Sequence, residues 1–352
     1  MTGLGIYPDG MVETDGHVGQ LLKLLDDLGV ADSTIVVYTT DNGAETVTWP
    51  DGGSTPFRGE KATNWEGAFR VPCLIRWPGV IKPGTVVNDI CAHEDFIPTF
   101  AAVNGDTNLV EDLKQGHTLN GKSFKVHLDG VNLLPFLKGD EKESPRKDFF
   151  YWSDDGDLMA LRYQQWKIAF LEQNTEISPE APAGVWTGQF TKLRTPKLYN
   201  VRSDPFERGP GSMEYALWMT HRVFIQVPAQ ALVAKYLDSF EEFPPRAKPA
   251  SFTVSDLMEK LTTPRAKTDR KSGPGPSTPH RHLQRQNAGM RLFEIRFPGK
   301  AGKARKAADT LEVLRMEAAR FGLRLRRRGR GYSLHCNAMR LGTAFAASIF
   351  IS

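Results

Sequence analysis

Apolar positions in the first part of the chain follow two periods. Val18, Leu21, Leu22, Leu25 and Leu28 recur every three or four residues, which is one face of an amphipathic helix. Gly29 follows the last of them and suits a C-terminal cap. Ile35-Val36-Val37-Tyr38 then runs without alternation into Thr39-Thr40-Asp41-Asn42-Gly43. Such a β-branched run predicts a strand over 34–40 with both faces covered. Helix 17–28, turn and strand 34–40 make one αβ unit. From Asp41 to about Ala68 the chain is rich in Gly, Asp, Thr and Pro, which predicts a long loop. Loops of this length are usually functional or disordered. Arg70-Val71-Pro72-Cys73-Leu74-Ile75-Arg76-Trp77-Pro78-Gly79 predicts a second buried strand, with Cys73 as a packed, unreactive thiol.

Further on, Phe96, Ile97, Phe100 and Val103 share a helical face. Asp95 stands where a helix cap would stand, and capping outweighs a metal role for His93-Glu94-Asp95. Leu133, Leu134, Phe136 and Leu137 predict a short helical segment within Gly130–Gly139. From Asp148 the texture changes. Phe149–Trp152, Leu158–Tyr163, Trp166–Leu171 and Lys197–Val201 read as short antiparallel strands. Turns fall at Asp154-Asp155-Gly156 and around Gln164-Gln165. Helical spacing returns over about 213–240, with Ala229, Leu232, Val233 and Tyr236 on one face. Residues 264–282 have a linker composition. Arg291–Phe297 could form a strand and Ala304–Phe321 a helix. The expected organisation is therefore an α/β part over 1–147, a small α+β subdomain over 148–263, and a basic extension over 264–352.

Charge sharpens that division. From Arg265 to Ser352 there are 20 Lys and Arg against 5 Asp and Glu, a balance of +15. The rest holds 25 basic and 36 acidic residues, a balance of −11. The run Arg324-Leu325-Arg326-Arg327-Arg328-Gly329-Arg330 could meet nucleic acid or anionic lipid, or be a solvated basic tail. Cys73, Cys91 and Cys336 form no disulfide framework. The first twenty residues lack the continuous apolar core of a signal peptide, and localisation stays open. No run of about 20 apolar residues predicts a membrane span.

The chemistry points to the end of the strand over 34–40. In open α/β sheets ligands sit beyond the carboxyl ends of such strands. Asp41 and Asn42 offer a carboxylate and an amide carbonyl side by side, hard oxygen ligands suited to Ca²⁺ or Mg²⁺. The same turn also has a purely conformational explanation. His17, set among Gly and Asp, reads as a surface residue rather than a ligand.

Residues from about Gly10 to Thr263 resemble the sulfatase family, of alkaline-phosphatase-like α/β fold. The first anchor is Thr40-Asp41-Asn42-Gly43. The second is Arg58-Gly59-Glu60-Lys61, leading through Trp65-Glu66-Gly67 to Arg70-Val71-Pro72. Lys61 follows Asp41 by twenty residues. Ala160–Tyr163 with Trp166-Lys167, Leu193-Arg194, Pro196–Glu207 and Phe243-Pro244-Pro245 resemble bacterial arylsulfatases in particular. Ala68 stands where the family usually has a second glycine.

The resemblance implies a partial alkaline-phosphatase-like sheet sandwiched by helices, with a small antiparallel α+β subdomain. It implies a sulfuric ester hydrolase acting on sulfate ester small molecules or sulfated glycans. Asp41 and Asn42 would be ligands of one Ca²⁺, and Lys61 would contact the sulfate. Both cations would stabilise charge on the sulfuryl oxygens. A phosphatase or phosphonate hydrolase of the same superfamily is the alternative, and a non-catalytic anion binder is a third reading. The family nucleophile is a formylglycine from a Cys/Ser-x-Pro/Ala-x-Arg motif, and no such motif precedes Asp41. The one literal match, Cys336-Asn337-Ala338-Met339-Arg340, lies in the basic tail and is not assigned. No catalytic residue is therefore assigned. The expectation is an N-terminally truncated member with an incomplete Ca²⁺ ligand set, whose parallel sheet would lack strands.

Overall fold

The computed structural model describes residues 2–46, 51–52, 54–173, 184–245, 323–328, 331–336 and 345–351. The expected linker over 264–282, strand over 291–297 and helix over 304–321 lie outside the described residues, as do residues 337–340 of the motif match. The chain divides into two compact units, Met1–Pro249 with Leu341–Ser352, and Ala250–Arg340.

The first unit opens with α1, Ile6–Asp27. It starts well before the expected 17–28, because Pro8 in its first turn is compatible with a helix. Its end matches the prediction. Gly29 takes φ +65°, its N–H donates to the Asp26 carbonyl at 3.0 Å, and Val30 N–H donates to Leu25 at 3.1 Å. This paired closure is the Schellman arrangement. Strand β1, Thr34–Thr40, follows with Ile35 and Val37 buried. After the loop come α2, Glu66–Phe69, and β2, Cys73–Arg76.

Two expectations fail around β1. Its sheet has the order β11-β1-β2, where β11 is Phe345–Ile351, and both pairings are antiparallel rather than parallel. An apolar run reports covered faces, and it is silent on the direction of its neighbours. β2 is also not buried: Cys73, Leu74 and Arg76 are exposed, so Cys73 is not the packed thiol its apolar run predicted. In the order β11-β1-β2 this strand stands at the end of the described sheet, with a partner on one side only.

Next come α3, Phe96–Val103, α4, Leu109–Gln115, the hairpin of β3, His117–Leu119, with β4, Lys122–Phe124, and α5, Leu134–Lys138. Asp95 precedes α3 as expected, but its carboxylate does not bond the first turn of that helix. It accepts the Ala92 and Val131 N–H groups, each at 2.8 Å, and pairs with Arg146 at 2.5 Å. Its complete burial demands those partners. His93, Glu94 and Asp95 do not form a metal cluster; among the described residues no group of three His, Cys, Asp or Glu does.

The antiparallel sheet lies where its texture predicted it. Its strands, in spatial order, are β5, Asp148–Trp152, β6, Leu158–Tyr163, β7, Trp166–Gln173, and β8, Phe190–Asn200. Helices α6, Tyr215–Thr220, and α7, Gln226–Glu242, follow. Alternation along β6 divides the core. Leu161 packs with Ile168, Leu198 and Ala229 beneath α7. Ala160 packs with Tyr151, Ala169, Tyr199 and Trp65 on the opposite side. Trp65 is fully buried, so the loop after β1 is fastened to this sheet. In the second unit, β9, Leu323–Arg328, and β10, Gly331–Cys336, form an antiparallel hairpin.

Candidate functional site

The site is assembled by backbone ties across the loop between β1 and β2. Asp41 and Asn42 leave β1 directly, Asp41 exposed and Asn42 half-buried. Gly43 N–H donates to the Ala68 carbonyl at 2.7 Å, and Gly67 N–H donates to Arg58 at 2.7 Å. These ties place the Asp-Asn-Gly turn against the Arg-Gly-Glu-Lys turn. They require glycine. A Cβ on Gly43 would lie 1.6 Å from the Gly67 carbonyl oxygen, and one on Gly67 would lie 2.4 Å from that of Gly59. Gly59 itself has φ +78°, a conformation that glycine adopts without strain. Ala68 is buried at the departure from the family pattern and keeps its carbonyl on Gly43. A third tie comes from buried Glu60, whose carboxylate accepts the Thr46 N–H at 2.5 Å and its hydroxyl at 2.8 Å.

Asp41 receives only the Thr40 hydroxyl, at 3.3 Å, among the described residues. Asn42 spends its Nδ2 on the Gly43 carbonyl at 2.9 Å. Among the described residues its Oδ1 accepts no hydrogen bond, so the turn offers a carboxylate and an amide oxygen side by side. This donor set fits a hard divalent cation, with two of the about six to eight oxygens that Ca²⁺ takes. Lys61 is half-buried, and its Nζ lies 5.5 Å from the centre of the Trp186 ring. It has no carboxylate partner among the described residues. No hydrogen bond or ion pair joins Lys61 to Asp41 or Asn42, so only the loop ties associate the three.

Beneath these loops lies a buried charge network that the sequence pattern did not announce as such. Lys167 Nζ is 2.7 Å from Glu207 Oε1 and 3.4 Å from Glu66 Oε1. Arg162 reaches Glu66 Oε2 at 2.9 Å, and the Tyr151 hydroxyl donates to Glu66 Oε1 at 2.7 Å. The Glu66 N–H donates to Glu207 Oε2 at 2.7 Å. Burial alone would raise the Glu66 carboxyl, but Lys167 and Arg162 hold it below the ordinary value. Burial dominates at Glu207 and pushes it up despite Lys167. Burial beside Glu66 also drives the Tyr151 phenol well above its usual value. Asn64, fully buried, donates to the Leu171 carbonyl at 2.6 Å, where the β7–β8 register shifts. Loop 58–67 is thus fixed to the sheet by charge, by amide and by Trp65. One signal for the network was legible: Lys167 interrupts the apolar run Trp166–Leu171.

Comparison with known proteins finds similarity over two segments of the chain. The family model described as "Sulfatase" matches residues 4–105, and the one for the "C-terminal region of aryl-sulfatase" matches residues 144–264. Steryl-sulfatase of Mus musculus is 33% identical over 225 residues, covering 58% of this chain and 33% of that protein. Arylsulfatase A of Homo sapiens is 34% identical over 213 residues, 58% of this chain and 39% of the relative. Human N-acetylgalactosamine-6-sulfatase is 35% identical over 228 residues, 60% of this chain and 40% of the relative. The crystal structure of PsFucS1 sulfatase from Pseudoalteromonas sp. superposes with a TM-score of 0.55 at 28% identity, over 68% of this chain and 44% of that one. The chain therefore spans about a third to two-fifths of the length of these curated relatives.

Proposed function

Because the chain belongs to the sulfatase family, we propose that it acts in sulfate ester hydrolysis, with Asp41 and Asn42 on a Ca²⁺ ion and Lys61 on the sulfate. One observation carries this reading. The Gly43–Ala68 and Gly67–Arg58 hydrogen bonds fasten the Asp41 and Asn42 oxygens to the loop that presents Lys61, which has no carboxylate partner among the described residues. A bound Ca²⁺ would polarise the sulfuryl oxygens as a Lewis acid. The chain's own residues bind and orient. The Asp41 carboxylate and Asn42 Oδ1 would hold the ion, and the Lys61 ammonium would hold a non-bridging sulfate oxygen by a charge-assisted hydrogen bond. Trp65, Asn64 and the Glu66 network keep the lysine-bearing loop rigid, so little ordering is left to be done on binding.

No helix of the described residues is long and apolar enough to cross a membrane. Two measurements test the proposed roles. Calorimetric titration with Ca²⁺ should show a site that Asp41→Asn weakens by about tenfold or more, the loss of one charged ligand. Unaltered Ca²⁺ affinity in that variant would remove Asp41 from the metal. Lys61→Ala should weaken binding of an aryl sulfate by about ten- to a hundredfold, the range for a hydrogen bond to a charged group. Aryl sulfate binding and turnover that survive Lys61→Ala would refute the role of the lysine.

A further inference from the structure

A second feature lies on the same loop. An open cleft of about 860 Å³ runs between the Phe57–Arg58 turn and the Phe206–Ser212 turn, with Glu172 and Lys197 along it. Its size is that of a ligand pocket. The charges around it do not cancel. Glu172 is taken by Lys197 at 2.5 Å and by the Tyr199 hydroxyl at 3.3 Å. The Glu207 carboxylate is taken by Lys167 and the Glu66 N–H. Among the described residues Arg58 and Arg208 have no carboxylate partner, so there the cleft carries two guanidinium groups without a counter-charge.

Both guanidiniums are held by aromatic rings. Arg58 Cζ sits 3.5 Å from the centre of the Trp65 ring, and its Nη1 donates to the Glu207 carbonyl at 3.2 Å. Arg208 Cζ sits 5.6 Å from the centre of the Phe206 ring. The Phe57 and Phe206 rings stand 6.2 Å apart at 36°. The cleft thus combines two cations with an aromatic wall and a polar floor. That is the chemistry of an acidic sugar: the guanidinium fork matches a sulfate or carboxylate, and the exposed Phe206 ring can meet the apolar face of a pyranose, while the Phe57 ring carries the Arg70 guanidinium 4.4 Å from its centre. Arg58 precedes Lys61 by three residues, so their α-carbons are within about 11 Å. One oligosaccharide could therefore reach both.

We propose that this cleft is a second anion subsite, which receives the acidic group and ring of a neighbouring residue in a sulfated oligosaccharide. The proposal rests on the sulfate role of Lys61 for its direction along the ligand, and the experiment separates the two. The full chain is titrated with a disaccharide carrying one sulfate on each ring, and with the same disaccharide carrying a single sulfate. Arg208→Gln changes an exposed side chain, and its fold is checked by circular dichroism. It should weaken the disulfated ligand about tenfold, as expected on removing one charge-assisted hydrogen bond, and leave the monosulfated ligand within about twofold. Arg208→Lys should recover part of that affinity, because the charge returns without the fork. Lys61→Ala should weaken both ligands. Equal effects of Arg208→Gln on the two ligands, or none on either, would overturn the subsite. A selective effect of Arg208→Gln alongside no effect of Lys61→Ala would leave the subsite standing and overturn the sulfate role of Lys61. Failure of the unsubstituted chain to bind either ligand would overturn both.

Discussion

Replacing Lys167 by methionine should cost about 3–5 kcal/mol of stability, the usual loss when one partner of a buried ion pair is removed. The side chain is fully buried, and so is that of Glu207. Methionine fills most of the volume and leaves Glu207 without its 2.7 Å ammonium partner. Glu66 keeps Arg162 and the Tyr151 hydroxyl, so the cost falls mainly on Glu207. Urea unfolding would read the loss as a lowered midpoint. The deficit should also depend on pH. Without Lys167, the Glu207 carboxyl, already raised by burial, rises further. A folded carboxyl with a raised pKa binds protons that the unfolded one does not, so acid favours the folded variant. The gap from the unsubstituted protein should therefore narrow as pH falls from neutrality toward 4.5, the ordinary value for a glutamate. A deficit that stays constant over that range would mean that Glu207 is not the group left uncompensated.

The second large effect is expected from a single methyl group. Gly43→Ala puts Cβ 1.6 Å from the Gly67 carbonyl oxygen and 2.7 Å from its carbon. Both atoms are backbone, and Gly67 is itself pressed against Arg58 and Gly59. No side chain can swing aside, so the turn must leave the loop. Overpacking usually costs about 1–3 kcal/mol and more where backbone must move; the upper end is expected here. The Gly43–Ala68 hydrogen bond would go with it. Ca²⁺ affinity should fall in the same variant, although neither Asp41 nor Asn42 is changed. Gly10→Ala is the control. It lies in α1 with nothing within 4 Å of the added carbon, and it should stabilise by about 0.5–1 kcal/mol. Comparable midpoints for the two variants would show that the close approach at Gly43 is not as tight as the structure has it.

Legibility from sequence followed the physics of each signal. Strand β1, the Gly29 cap and the four strands from Asp148 were readable, because periodicity and turn chemistry act over a few residues. Asp41, Asn42 and Lys61 stood out only as types in order. Their association depends on close glycine approaches across some twenty-five residues of loop, which no local pattern records. Sequence signals failed where the outcome depended on partners far along the chain. Antiparallel neighbours for β1, the exposure of Cys73 and the tie of Asp95 to Arg146 are of this kind. The Glu66–Lys167–Glu207 network was half legible. A lysine inside an apolar strand announces a buried partner, but its identity needs three dimensions.

The pairing of β1 with β11 sets an order of events in folding. β2 follows β1 after a loop of some thirty residues, whereas β11 lies about 300 residues beyond it. Closing the longer loop in an open chain costs about 2 kcal/mol more entropy, because the cost grows as 1.5RT times the logarithm of loop length. The β1–β2 pair should therefore form first, with β11 docking once the intervening chain has collapsed and brought its ends together. During synthesis the free edge of β1 waits for residues that leave the ribosome only after the whole of the second unit has been made. In that interval Ile35, Val36 and Val37 sit on a strand with one free edge, and a chaperone or a second nascent chain could capture them there.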